Sequence, residues 1–142
     1  MAAPRRLDRR SPGAPRQHLI LGRLNWGGLL AGVVAGLGAA AAISVVLFAF
    51  GVRVGESAGG DAFFAAIQLA ALVAAGYVGG RFSPGTASMQ ASHGALAGLL
   101  LFAVSAAIAL AAGSDLSLLA ALGGGTVALV LGSVGGTLSA RR

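Results

Sequence analysis

The chain has no cysteine and no lysine, and among its 142 residues only four acids, two histidines, one tryptophan and one tyrosine. Without cysteine there can be no disulfide and no thiolate metal site. His18, His93, Asp8, Glu56, Asp61 and Asp115 are too few and too scattered to suggest a protein-built metal centre. Charge is equally scarce. Only 10% of residues are charged, against roughly 25% in an ordinary soluble domain, so the polar shell of a soluble fold cannot be assembled. No nucleophile–base pair appears, and no glycine loop is followed by a phosphate-binding lysine. The expectation is a protein with no catalytic residue, metal or cofactor.

What the chain does have is apolar material, 56% of residues, and 24 glycines. The apolar residues fall in blocks long enough for membrane helices, which need about 20 residues each. The pattern predicts an all-α, four-helix transmembrane bundle over residues 25–142, with spans at 26–50, 62–80, 93–112 and 116–138. Residues 1–24 form an arm carrying Arg5, Arg6, Arg9, Arg10, Arg16 and Arg23 together with Pro4, Pro12 and Pro15. It holds too little apolar surface to offset ordering entropy and is expected to be disordered. Arginines beside hydrophobic spans read as topological signals and contacts to anionic lipid headgroups rather than as a nucleic-acid site.

The same charges give an orientation. The arm, Arg81, Arg141 and Arg142 fall on one side of a four-span protein, and Arg53 falls on the other with Glu56, Asp61 and Asp115. Positive residues favour the cytoplasmic side, so both termini are expected to be cytoplasmic, in the plasma membrane.

Glycines recur four apart: Gly28, Gly32 and Gly36 in the first span, Gly76 and Gly80 in the second, Gly94 and Gly98 in the third, Gly132 and Gly136 in the fourth. Small residues at this spacing let two helix backbones approach closely in lipid. They predict packing within the bundle, with a homo-oligomer or a contact to another membrane protein as the alternative. Gly59-Gly60 reads as turn material, and Gly123-Gly124-Gly125 as a kink or a close helix contact.

Polar residues inside the spans are few. Gln68 is the one strongly polar side chain at depth, and it predicts an interhelical hydrogen bond, with substrate binding as the other reading. Ser44 and Ser105 are expected to bond back to their own helices. Trp26, Tyr77, Arg81 and His93 lie at span ends and suit the interface. Arg81 can snorkel to headgroups. His93 is placed at the start of the third helix, as an interfacial group, a headgroup contact or a pH sensor. Asp61 and Asp115 are read as helix N-caps.

Two parts of the sequence echo one another. Gly76-Tyr77-Val78-Gly79-Gly80-Arg81-Phe82-Ser83 parallels Gly132-Ser133-Val134-Gly135-Gly136-Thr137-Leu138-Ser139, and Gly28-Leu29-Leu30-Ala31-Gly32 parallels Gly94-Ala95-Leu96-Ala97-Gly98. The echo suggests two tandem two-helix hairpins related by an axis along the membrane normal. Chance likeness of glycine- and alanine-rich helices is the competing explanation.

The hairpin Gly76-Tyr77-Val78-Gly79-Gly80-Arg81 followed by His93-Gly94-Ala95-Leu96-Ala97-Gly98 resembles a type of small four-span bacterial membrane protein of unknown function. In that type a Gly-Tyr-x-x-Gly-Arg helix end leads through a short loop into a helix opening on His-Gly. The resemblance covers about a quarter of the chain, taken on residue positions alone. It implies the architecture and a bacterial origin, and it carries no activity. The functional expectation is a non-enzymatic scaffold or accessory subunit, with a small oligomeric transporter or channel as the alternative.

Overall fold

The structure, a computed structural model, describes residues 24–52, 58–83 and 85–141. The arm over 1–23, together with Arg53, Glu56 and His18, lies outside the described residues. Four helices follow one another: α1 (Trp26–Ala49), α2 (Ala58–Arg81), α3 (Ala87–Ala111) and α4 (Leu118–Ser139). Among the described residues there is no strand. Each helix is long and apolar enough to cross a membrane, because 22 to 25 residues give about 33–38 Å at 1.5 Å per residue. The chain is a multi-pass membrane protein whose outer faces meet lipid.

Glycine costs helix stability in water. In a bilayer every backbone group must find its partner internally, and glycine is correspondingly common in membrane helices. The turns show where glycine's freedom is used. α1 ends with Gly51 at φ +79° and α3 with Gly113 at φ +85°. In both, the next two amides reach back: Gly51 N to Phe48 O and Val52 N to Leu47 O, and Gly113 N to Leu110 O and Ser114 N to Ala109 O, each 3.0 Å. This is the paired-bond helix stop that needs a left-handed residue just past the cap. The first and third helices therefore end by the same device.

The starts of α1, α3 and the ends of α2, α4 share one face, the termini end; the other is the far end. α2 and α3 form the middle of the bundle. α1 packs on α2 and α3, α4 packs on α2 and α3, and no close approach joins α1 to α4 among the described residues. A two-fold about the membrane normal would bring α1 onto α4 as it brings α3 onto α2, so the bundle is not symmetric as a whole.

Several boundaries differ from the sequence expectation. α3 begins at Ala87, six residues before His93, because the polar run 87–92 is helical although it lies ahead of the apolar span. α2 begins at Ala58, so Gly59 and Gly60 belong to its first turn and not to a loop. Asp61 sits inside that first turn. Asp115 lies in the α3–α4 link, where Ser117 is the cap and its hydroxyl accepts from Ala120 N at 3.1 Å. α4 runs unbroken through Gly123-Gly124-Gly125. Gly124 lies against the Phe102 ring, and Gly123 has open space around it.

Candidate functional site

The helices meet through backbone, at the glycines. On α1, a methyl group at Gly28 would lie 2.8 Å from Phe82 Cβ, and one at Gly32 would lie 2.6 Å from the Ala75 carbonyl oxygen and 3.1 Å from Ala97 Cβ. At Gly36 it would meet Leu101 Cδ2 at 2.5 Å. Gly76 and Gly94 both face the Gly132 carbonyl oxygen, Gly132 faces the Gly94 carbonyl, and Gly136 faces the Gln90 carbonyl. A Cβ at Gly80 would lie 2.8 Å from Gly136 Cα, and one at Gly98 would lie 2.5 Å from the Ala128 carbonyl oxygen. All nine of these glycines are buried, at the termini half of their helices. Gly79 and Gly135 do the same work: Gly79 meets Ala97, and Gly135 meets the Val73 carbonyl. Pairs of residues four apart do not reveal these two, because they sit on the second face of helices that touch more than one neighbour.

The echoed segments meet each other. Gly76 packs on Gly132 and Gly80 on Gly136, and these are matching positions in the two copies of the Gly-x-Val-Gly-Gly-x-x-Ser pattern. α2 and α4 run in the same direction, so this contact is a parallel glycine crossing within one chain. The serines that close the two patterns, Ser83 and Ser139, are both buried. Ser139 Oγ donates to Gly136 O at 2.7 Å, while Ser83 turns to His93.

His93 is a correction to the interfacial reading. It is 5% exposed, near the end of the second turn of α3, and it joins three elements. Asn25 N–H donates to its Nε2 at 3.3 Å, which leaves the ring proton on Nδ1. Nδ1 lies 3.0 Å from Ser83 Oγ and 3.0 Å from the Met89 carbonyl oxygen. Asn25 caps α1, its Oδ1 accepting from Gly28 N at 3.2 Å, and its Nδ2 donates to Phe82 O at 2.7 Å. One asparagine and one histidine thus tie the start of α1 and the α2–α3 turn to α3. Asparagine immediately before the apolar run was a readable N-cap signal.

A serine 3.0 Å from a histidine invites comparison with a nucleophile and its base. The chemistry runs the other way. A base needs a free lone pair toward the hydroxyl, and here Nδ1 bears the proton while Nε2 is taken by Asn25. Both side chains are buried. Among the described residues no group of three histidines or acids could hold a metal ion. The cluster works as a clamp.

The remaining polar positions differ from one another. Trp26 and Arg81 stand exposed at the ends of their helices, and Tyr77 is half-buried one turn before the end of α2. Gln68 is exposed and makes no hydrogen bond within the described residues, so the interhelical bond expected of it is absent: Ile67, next to it, is the α2 residue buried at that depth. Ser44 and Ser105 also stay unbonded, unlike Ser92, Thr126, Ser133 and Thr137, which bond to carbonyls of their own helices. Gln90 Oε1, near the α2–α4 crossing, is buried without a partner.

No protein-family model, curated protein or solved structure matches the chain.

Proposed function

We propose that this chain is a non-enzymatic membrane scaffold or accessory subunit. The observation that carries this reading is the closed termini half. Glycines lie against backbone from Gly28 to Gly36, from Gly76 to Gly80, from Gly94 to Gly98 and from Gly132 to Gly136. An apolar core of Val33, Ala71, Leu72, Ala75, Leu101 and Ala128 packs beside them. No polar path crosses this region, and no acid sits at mid-span to relay protons. A rigid base of this kind suits a protein that holds its helices for others to pack on. A second reading, a small oligomeric transporter or channel, gains from the unbonded Ser44, Gln68 and Ser105 in the far half.

We further propose that both termini are cytoplasmic and that the arm and Arg81 contact anionic lipid headgroups, on the arginine asymmetry. Native mass spectrometry of gently extracted protein tests the function. A stoichiometric second protein is the expected result. A defined homo-oligomer alone would shift the balance to transport, and a monomer carrying only lipid would overturn the scaffold reading. Reporter fusions test orientation, where an external C-terminus would overturn it.

A further inference from the structure

The buried stripes of the termini half do not stop where the packing loosens. On α1 the stripe Gly32, Val33, Gly36 continues at helical spacing through Leu37, Ala40, Ser44 and Leu47, all half-buried. On α3 it continues from Leu101 through Ser105 to Ala109, again half-buried. On α2, Gln68 lies three residues from Ala71 and four from Leu72, hence on the face that forms the core one turn further in. There Gln68 is exposed, while Ile67 beside it stays buried and Phe64 half-buried.

The depths agree. Gly36, Ala71, Ala75 and Leu101 meet at one level. From it, Gln68 and Ser105 lie about 5 Å toward the far end and Ser44 about 12 Å, at 1.5 Å per residue. Asp61, seven residues before Gln68 and therefore on nearly the same face, stands at the rim and is exposed.

Ser44, Gln68 and Ser105 thus lie on helix faces that converge between α1, α2 and α3 further in. All three lack a hydrogen bond within the described residues. In hydrocarbon such groups would stay unsatisfied at a cost, and polar residues in membrane spans characteristically face the bundle interior or a water-filled cavity.

We infer that the far half of the bundle holds a water-filled vestibule, floored by Ala71, Leu72 and Leu101, that admits small uncharged polar solutes. Its lining offers two hydroxyls and an amide, which both donate and accept, and no charge below the rim. Its opening to the outside of the cell rests on the orientation proposed above.

The absence of cysteine makes the test direct. Ser44→Cys, Gln68→Cys and Ser105→Cys are made singly in the full chain and treated with a membrane-impermeant trimethylammonium methanethiosulfonate. Each has controls two residues away, about 200° around the helix at similar depth: Ala42→Cys and Val46→Cys, Ala66→Cys and Ala70→Cys, Ala103→Cys and Ala107→Cys. All six control positions are exposed. Only a hydrated thiol ionises and reacts, so the vestibule positions should label at least about tenfold faster than their controls. Labelling at the control rate in opened membranes overturns the vestibule, whether lipid or a partner helix fills the space. Fast labelling in opened membranes but not in intact cells upholds the vestibule and overturns the orientation. At Gln68→Cys in opened membranes, a neutral hydroxyethyl reagent should outpace the cationic one, after correction for their rates with a free thiol. Equal corrected rates would overturn the preference for uncharged solutes. Should Gln68→Cys fail to fold, the neutral-versus-cationic comparison passes to Ser105→Cys, at nearly the same depth.

Discussion

The two halves of this bundle are built from the same four helices and behave differently. In the termini half, glycine meets backbone carbonyls or Cα atoms at every helix contact but α1–α3, where Gly32 and Gly36 meet the side chains of Ala97 and Leu101. In the far half Gly38 and Gly123 have nothing within 4 Å, Gly124 meets only the side chain of Phe102, and Phe48, Phe63, Ile108 and Leu119 stand exposed. The difference shows what holds membrane helices together. Apolar side chains gain nothing by leaving lipid for another apolar surface, so closeness of backbones decides the contact. Glycine supplies closeness at one end, and bulkier residues deny it at the other.

That contrast can be broken most forcefully at Gly132. Gly132→Ala puts a methyl group against the Gly94 carbonyl and should destabilise the bundle by about 1–3 kcal/mol, with Gly132→Leu worse. Gly123→Ala, on the same helix but in open space, should change stability by less than about 0.5 kcal/mol. Thermal melts in detergent, followed by size-exclusion recovery, compare the two, and equal losses would show that the halves are equally packed.

Removing the clamp should have the next largest effect. His93→Leu deprives Asn25 N–H of its acceptor and Ser83 of its partner, at a cost of about 1–3 kcal/mol. Trp26, the sole tryptophan and the neighbour of Asn25, should shift its emission in the same melt. An unchanged melting temperature and spectrum would reduce the clamp to an incidental contact.

Gln90 sharpens the comparison from the other direction. Its Oε1 is an unpaired buried acceptor in the tight half, so Gln90→Met should be neutral or stabilise by up to about 1 kcal/mol. A clear loss would mean that the amide has a partner in the membrane-bound protein. The smallest effect belongs to Ser105→Ala in the loose half. The hydroxyl bonds to nothing among the described residues, and the change should stay within about 0.5 kcal/mol by the same melt.

Much of this fold could be read from the residues. Runs of apolar residues located four helices, and the four-residue glycine spacing marked positions that lie at helix contacts. Hydropathy reports the membrane span and not the helix, which is why α3 was expected to start at His93 when its polar first two turns begin at Ala87. Burial of His93 could not be read either. It depends on the turn after Arg81 being short enough to bring Ser83 and Asn25 to the same point. Gln68 lacks the partner expected of it, because Ile67 holds the buried position of α2 at that height and hydropathy alone does not say which of two adjacent residues faces a neighbour. Gly79 and Gly135 escaped notice because α2 has three neighbours and α4 two, so a single stripe understates how much of either surface is covered.

The crossing of α2 on α4 also has a consequence in time. Helix α4 is synthesised after the other three, yet it covers Gly76, Gly80, Gly94 and Gly98 at once. Until it inserts, α2 and α3 display two adjacent glycine tracks to the bilayer. α1 cannot fill in for it, being already committed to the opposite side. That interval is when the nascent chain is most open to pairing with the wrong helix, and the matched glycines of the two echoed segments give the right one its register.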